Sequence, residues 1–372
     1  MIGELPGPVL IVGTGLIGTS IGLALRRAEV EVRLRDVDDT ALAQAVALGA
    51  GVPDTDDHGG GGQSPAALAI VAVPPGRAAH VVVDLLHSGA AEYVTDVTSV
   101  KASVAATVRA ASGRPGAYVG SHPMAGREFA GPTGALVDLF EGRPWVICPD
   151  DSTDQQAAAR VLSVIRLAGG MPVTMSATEH DAAVALVSHT PHVISALVAG
   201  RLHDAPAHEV RLAGPGIGDV TRIAAGDPRL WTEILTANAG SVRSVLEGVH
   251  DDLGRILAAL HGNPDRGAHD DGVDRAAVDD VLRRGVVGRS RLPGKHGADK
   301  AEYATVIVVV DDRPGQLAAL FADAGAAGVN VEDVRIDHSP GQPLGLVELD
   351  VSPGADVALE RALSEEGWTV HG

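Results

Sequence analysis

The segment GSHPMAG, residues 120–126, places His122 directly before Pro123 and between two glycines. Proline fixes its own φ and restricts the preceding residue to extended backbone, so we expect His122 outside any helix. An imidazole titrates near neutral pH, and beside a redox cofactor it is suited to accept the proton of an alcohol during oxidation. A turn histidine that only hydrogen-bonds its neighbours is the alternative, and the segment alone leaves both open.

A second candidate is the segment DVTSVK, residues 96–101, which ends a predicted central strand. Open parallel sheets bind ligands at this edge, so Ser99 is placed to hydrogen-bond a catalytic imidazole or a nicotinamide. Serine is also a common helix cap, and Ser99 precedes a helix predicted over residues 100–111. Both roles are compatible, and Lys101 is expected in solvent.

The segment SHTPH, residues 188–192, carries His189 and His192 three positions apart. On one helix face such a pair can bind a metal, but no carboxylate or thiol follows at the expected spacing. We therefore predict no metal and expect polar lining of a cleft, with one histidine of the pair in the core.

A third segment combines DVTRIA, residues 219–224, with DPRLW, residues 227–231. The Arg222 guanidinium is suited to bind a substrate carboxylate with two parallel hydrogen bonds. The alternative is that Arg222 forms only a surface ion pair. Trp231 either joins the same site or serves in packing.

The elements that must position these residues begin with an apolar run at 8–12 that ends at GTGLIG, residues 13–18. A helix to about residue 27 and a strand at 31–36 follow, which is the order of a dinucleotide-binding unit. Asp36 would accept hydrogen bonds from a ribose diol and repel a 2′-phosphate, which favours NAD over NADP, although Arg33 and Arg35 weaken that preference. The expected cofactor-binding residues are Gly13, Gly15, Leu16, Ile17, Gly18, Asp36, Val73 and Pro74.

The rest of the chain divides by its periodicity. Alternating strands and helices continue, with strands near 118, 144–148 and 171–175 completing a doubly wound sheet. Apolar positions at helical spacing then predict helices over 178–202, 208–224 and 229–260. The predicted α/β fold thus has a Rossmann-type domain (1–176), an all-helical domain (177–262), a polar linker or arm (263–303) and a small α+β domain (304–372).

Composition limits the classes of function. The 372 residues are 45% hydrophobic and 2% aromatic, with a net charge of −19, which argues against nucleic acid or an anionic membrane as partner. The single cysteine, Cys148, permits no internal disulfide and is expected as a buried, inert thiol in a cytoplasmic protein. The uncharged stretch at 5–25 lacks a preceding basic region, so we interpret it as a buried strand and helix rather than a membrane segment.

Together these motifs resemble the prephenate dehydrogenase family of tyrosine biosynthesis, which includes arogenate dehydrogenases. The matching segments are GTGLIG, DVTSVK, GSHPMAG, EHD (179–181), SHTPH, and DVTRIA followed by DPRLW. The segments GR (288–289) and LPGKHG (292–297) resemble part of Gram-positive members. DRPGQL (312–317) with GVNV (328–331) resembles an ACT domain, which has a ferredoxin-like fold.

The resemblance implies roles for matching residues. His122 would accept the C4 hydroxyl proton while hydride leaves for the nicotinamide, and Ser99 would orient His122. Glu128 would face the substrate-binding arginine and gate entry, whereas the role of Arg127 is left open between a substrate carboxylate and solvent. The substrate-binding residues expected are Arg222, His192, His189, Glu128 and Trp231.

We expect the helical region to form a homodimer, because the helices leave an apolar face to bury, and we predict that tyrosine binds the C-terminal domain and lowers activity. Asp311, Gly315 and Asn330 are the expected effector contacts. Arogenate in place of prephenate is the alternative substrate. A β-hydroxyacid dehydrogenase is a remoter alternative, but residues 178–260 contain no lysine for its usual catalytic role. A non-catalytic amino-acid sensor is the third class.

Overall fold

The computed structural model describes residues 5–54, 64–126, 129, 131–261, 273–292, 303–338 and 343–371. The predictions for Arg127 and Glu128 concern residues outside this part, as does most of the LPGKHG segment. The chain forms two compact units, Met1–Asp251 and Asp252–Gly372.

The first unit is built on a five-stranded parallel sheet of order β3-β2-β1-β4-β5. All residues of β1 and β4 are buried, as expected for central parallel strands covered on both faces by helices. The strands are β1 (Val9–Val12), β2 (Val32–Arg35), β3 (Val52–Pro53), β4 (Ala66–Val71) and β5 (Ala91–Asp96). The helices along this sheet are α1 (Leu16–Arg27), α2 (Asp39–Ala47), α3 (Pro75–Ser88) and α4 (Ala102–Ala111).

A separate three-stranded sheet contains β6 (Gly120–Pro123), β7 (Pro144–Cys148) and β8 (Met171–Thr174), with α5 (Gln155–Leu167) before β8. The prediction that these segments complete one doubly wound sheet is wrong in this respect. No long helix separates β6 from β7 in the described residues, so the chain returns antiparallel. A single bridge between Val94 and Tyr118 joins the two sheets.

One part of the core of this unit contains a pair of buried aromatic side chains. Phe140 and Trp145 are fully buried with ring centroids 4.9 Å apart, and they pack with the aliphatic side chains of Ile21 and Leu25. Cys148 is buried at the end of β7, and burial raises the pKa of its thiol to about 12. The prediction of a buried thiol is confirmed, and its inertness stays a prediction.

Helices alone make up the rest of the first unit among the residues described, as predicted, but with more breaks. The predicted helix over 208–224 is interrupted at Gly214 and Pro215, and the helix over 229–260 is interrupted at Asn238. The elements are α6 (Ala177–Val184), a π-helical turn (Ala185–His189), α7 (Thr190–Leu202), α8 (Ala207–Val210), α9 (Pro215–Thr221), a 3₁₀ turn (Arg222–Ala225), α10 (Pro228–Ala237) and α11 (Ala239–His261). The last ten residues of α11 belong to the second unit.

One continuous helical stretch, residues 177–202, has the length and the mean hydropathy, 1.5, of a membrane span. The core helix of a soluble protein meets the same test. This stretch also carries His180, Asp181 and His189, which are buried and hydrogen-bonded within the first unit.

The second unit contains a helix that the polar composition of 263–303 did not predict. Helix α12 (Arg275–Ser290) is supported by pairs four residues apart, Asp279 with Arg283 and Asp280 with Arg284. The order predicted for the C-terminal elements is confirmed, and all strand pairs are antiparallel in the order β10-β11-β9-β12. The elements are β9 (Ala304–Asp311), α13 (Gln316–Ala326), β10 (Val331–His338), β11 (Leu344–Val351), α14 (Asp356–Glu365) and β12 (Thr369–His371).

Candidate active site

The turn after β1 contains three glycines. Close packing excludes a side chain at Gly13 and Gly18 but not at Gly15. Gly13 has φ +100°, and a Cβ there would collide with the carbonyl of Ala72, while a Cβ at Gly18 would collide with the carbonyl of Gly13. Gly15 caps α1 at φ −70° with nothing within 4 Å of its Cβ position. The open space lies at a helix N-terminus, where backbone amides bind a pyrophosphate. The turn therefore fits a dinucleotide.

Asp36 follows β2 and is held against this turn. Its carboxylate accepts hydrogen bonds from the Thr14 amide at 2.6 Å, the Thr14 hydroxyl at 2.7 Å and the Asp38 amide at 2.9 Å. Burial opposes ionisation of Asp36, but these hydrogen bonds outweigh it and lower the pKa of the carboxyl. Asp36 is thus an anion, which suits a free ribose diol rather than a 2′-phosphate.

The remaining predicted cofactor residues border the same edge. Leu16 and Ile17 open α1, and Val73 and Pro74 lie between β4 and α3, with Pro74 as the N-cap of that helix. Since β1 and β4 are adjacent and parallel, their carboxyl ends meet here. The side chain of Arg35 pairs with Asp54.

His122 lies in β6 with extended backbone, as predicted from the following proline. Its Nδ1 is 2.9 Å from Nε2 of His180, and the two rings meet edge to face with centroids 5.1 Å apart. Burial lowers the pKa of His122 well below its usual range, and the neighbouring side chains of His180, Lys101 and His189 lower it further. The imidazole is therefore uncharged at neutral pH.

His180 and Asp181 connect this histidine to the nucleotide-binding part of the unit. The Asp181 Oδ1 lies 2.8 Å from His180 Nδ1 and accepts a hydrogen bond from the Lys101 amide at 2.8 Å. Its Oδ2 accepts one from the Ala102 amide at 2.9 Å. Asp181 thereby satisfies the first free amides of α4, which has no side-chain cap of its own.

These contacts correct two expectations around α4. Ser99 does not cap the helix, which begins at Ala102 with Lys101 as N-cap. Among the residues described, no hydrogen bond joins the half-buried Ser99 to His122, so its orienting role stays a prediction. Lys101 is not solvated either: it is 1% exposed, pairs with buried Asp96 and donates to the Ser121 carbonyl at 2.8 Å.

The two histidines of SHTPH have different surroundings. His189 is buried, and its Nδ1 lies 3.2 Å from the Asn238 side-chain amide, which also donates to the Asp181 carbonyl at 2.7 Å. Burial lowers the pKa of His189 to about 4. His189 is thus the core histidine that the sequence led us to expect of one member of the pair.

His192 stacks on Trp231, with ring centroids 3.6 Å apart and planes at 11°. Gly226 approaches both rings so closely that a Cβ there would lie 2.5 Å from the indole Nε1 and 3.0 Å from His192 Cε1. The segment after Arg222 therefore packs directly on this stack. Arg222 itself is exposed in the 3₁₀ turn that packs against α7, and its carboxylate-binding role stays a prediction.

Three residues of this arrangement had no role in the sequence interpretation: His180, Asp181 and Asn238. The first two lie within the EHD segment, whose Glu179 forms a capping box with Ser176 and so predicts a helix start. Nothing in residue spacing indicates that the carboxylate two positions later reaches the N-terminus of α4.

The expected effector residues lie in the second unit. Asp311 ends β9 and pairs with Arg313, and Gly315 has φ +92°, a conformation that favours glycine at the start of α13. The Asn330 side chain donates to Glu332 at 2.6 Å. Two of the three lie in one strand-to-helix turn.

Comparisons with known proteins identify the family of this chain. The sequence profile of the prephenate dehydrogenase nucleotide-binding domain matches residues 21–173, and that of the prephenate dehydrogenase dimerization domain matches residues 176–269. A probable prephenate dehydrogenase of Streptomyces niveus is 37% identical over 96% of this chain and 98% of its own. The prephenate dehydrogenase of Bacillus subtilis is 27% identical over 95% and 94%.

Among solved structures, prephenate dehydrogenase from Aquifex aeolicus in complex with hydroxyphenyl propionate and NAD+ is similar, with a TM-score of 0.62 and 28% identity. The match covers 75% of this chain and 98% of that one. These matches favour the prephenate dehydrogenase family over the two other classes considered, a β-hydroxyacid dehydrogenase and a non-catalytic sensor. The chain belongs to the prephenate dehydrogenase family and is an NAD-dependent oxidoreductase.

Proposed function

We propose that this enzyme oxidises and decarboxylates prephenate to 4-hydroxyphenylpyruvate. The observation that carries the proposal is the uncharged, hydrogen-bonded imidazole of His122 in a chain of this family. A general base must be unprotonated at the working pH and fixed in position, and His122 meets both requirements.

His122 takes the proton of the C4 hydroxyl as the C4–H bond breaks. Bound NAD supplies the acceptor for the hydride. The C1–carboxylate bond breaks, its electron pair enters the ring, and CO2 leaves as the ring becomes aromatic. The proton then returns from His122 to the same oxygen, so the histidine is regenerated and no net proton is released.

Arg222 and the stack of His192 on Trp231 are the proposed substrate contacts. A guanidinium offers two parallel donors to a carboxylate, and Gly226 brings the chain that follows Arg222 against the stack. His189, although in the same motif, contributes through packing with Asn238 rather than through a charge.

Steady-state kinetics test this proposal with prephenate and arogenate, each with NAD and NADP. We expect the highest kcat/KM with prephenate and NAD, because Asp36 is an anion at the ribose end of the turn. A higher kcat/KM with arogenate would identify an arogenate dehydrogenase instead. Activity with neither substrate would contradict the proposed function.

We further propose that residues 304–372 form an ACT-like regulatory domain that binds tyrosine. The strand order β10-β11-β9-β12 with helices after β9 and β11 is that of a ferredoxin-like fold, which supports the proposal. Asn330→Ala is expected to raise the tyrosine concentration needed for half-inhibition, with uninhibited activity unchanged. Unchanged inhibition after deletion of residues 304–372 would contradict this role.

A soluble, cytoplasmic homodimer formed through the helical region is the proposed state of the enzyme. Large apolar side chains are exposed there, including Leu186 at 61%, Leu197 at 58% and Leu212 at 86%. Burying such surface against a second copy is favourable, and a two-fold dimer is the commonest arrangement. Light scattering that gives a monomer at micromolar concentration would contradict it.

A further inference from the structure

A chain of hydrogen bonds runs from the N-terminus of α4 through Asp181 and His180 to His122, and the donor of each bond can be assigned in turn. The backbone amides of Lys101 and Ala102 donate hydrogen bonds to the Asp181 carboxylate. A backbone N–H can donate a hydrogen bond but cannot accept one. Burial opposes ionisation of Asp181, but hydrogen bonds from His180 and from these amides lower the pKa of its carboxyl. Asp181 is therefore an anion that can only accept.

An accepting carboxylate fixes the proton on the next residue. Since Asp181 Oδ1 lies 2.8 Å from His180 Nδ1, that nitrogen carries the hydrogen. In a neutral imidazole the other nitrogen is then an acceptor. His180 is 1% exposed, so water does not compete for either nitrogen.

The same reasoning carries to His122. With His180 neutral, its Nε2 is an acceptor 2.9 Å from His122 Nδ1, so the hydrogen of this contact belongs to His122. The lone pair of the uncharged His122 ring is left on Nε2. The charged and titratable groups near the pair are Lys101, Asp181 and His189, and Asp96 balances Lys101.

We propose that His180 is a positioning residue that holds His122 in the tautomer with Nε2 unprotonated, and that Asp181, anchored on the N-terminus of α4, sets the tautomer of His180. The inference rests on the proposed role of His122 as base, because it names the nitrogen that acts.

Nitrogen-15 NMR of the histidine-labelled enzyme tests the tautomer directly, with the His122 signals assigned by their loss in His122→Asn. We expect Nδ1 protonated and Nε2 unprotonated near neutral pH. A protonated Nε2 in the unsubstituted enzyme would overturn the proposal whatever the variants do. This readout does not depend on turnover, so an enzyme with the expected tautomer and no activity on prephenate contradicts the substrate alone.

Two substitutions separate positioning from packing. His180→Phe keeps an aromatic ring and removes the acceptor, and we expect kcat to fall about 10- to 100-fold with KM nearly unchanged. His180→Gln offers a carbonyl oxygen to His122 Nδ1 and should restore most of the loss and the tautomer. Should His180→Phe fail to fold, the spectra of the unsubstituted enzyme and of His180→Gln decide the question.

His203→Phe is the matched control, because His203 forms the same kind of pair with Asp204 on the surface. It should leave the kcat, the pH profile and the His122 spectrum unchanged. If His180→Phe behaves like this control, with an unaltered tautomer and kcat, His180 has no positioning role.

Discussion

The dipeptide His-Asp occurs at three described places with different outcomes. At His180 and Asp181 the ring nitrogen and the carboxylate oxygen are 2.8 Å apart, with side chains 1% and 6% exposed. At His203 and Asp204 the distance is 2.7 Å, but the side chains are 85% and 92% exposed. The pair at 250–251 is exposed too, with its nitrogen and oxygen 3.7 Å apart. The three pairs have the same residues but differ in exposure to solvent. Water competes for the hydrogen bonds of the two exposed pairs and not for those of the buried pair.

The largest expected difference is in stability. Asp181→Ala removes the acceptor of two helix amides and of a buried histidine, and we expect a loss of about 3–5 kcal/mol in the free energy of unfolding. Asp204→Ala should change it by no more than about 0.5 kcal/mol. Urea denaturation of both variants measures the comparison. Equal losses would mean that the buried contacts of Asp181 contribute nothing.

The second difference is in catalysis. His122→Asn removes the proposed base at the end of the buried contacts, and we expect kcat to fall by about 100-fold or more. His203→Asn, the same change at the exposed pair, should leave kcat unaltered. Single-turnover measurements with saturating NAD report the chemical step directly. A loss of less than about 10-fold in His122→Asn would contradict the base assignment.

A smaller effect follows from pH. His189 has a pKa of about 4 in the folded protein against an ordinary value of 6.5. Between these values the unfolded chain binds a proton that the folded protein does not, so stability falls as pH drops, by roughly 1 kcal/mol per pH unit. Urea unfolding of His189→Gln should show a shallower dependence, whereas His203→Gln should match the unsubstituted enzyme. Parallel curves for all three would show that His189 is not held neutral.

The smallest expected effect concerns the stack of His192 on Trp231. Gly226→Ala places a methyl group against both rings, which must shift, at a cost of about 1 kcal/mol in stability. We expect KM for prephenate to rise several-fold, with kcat less affected. Gly216→Ala is the matched control, because nothing lies within 4 Å of its Cβ position. A raised kcat/KM in Gly226→Ala would contradict a substrate-binding role for the stack.

Local patterns predicted most of the elements and the glycine turn, because the constraints at Gly13 and on the backbone of His122 come from neighbouring residues. Contacts between distant segments were not predictable in this way. His122 and His180 are 58 residues apart, and the Lys101 amide and Asp181 are 80 apart, so no spacing rule joins them.

Two errors of fold have separate causes. Strand periodicity identifies β6 but not its partner, and the return of the chain after residue 123 decides that it pairs antiparallel with β7. Helix α12 was missed because its stabilisation comes from exposed charge pairs, which composition alone does not distinguish from a polar linker.

The attachment of Asp181 to the start of α4 has a mechanical consequence. Two amide hydrogen bonds tie α6 to the start of α4, which lies along the parallel sheet. A rotation of the later helices against the sheet that pivots before residue 181 would break these two hydrogen bonds. The π-helical turn Ala185–His189 directly follows α6 and departs from regular α-helical hydrogen bonding. It is the first place along this helical stretch where a change of backbone conformation would leave the contact between His122 and His180 intact.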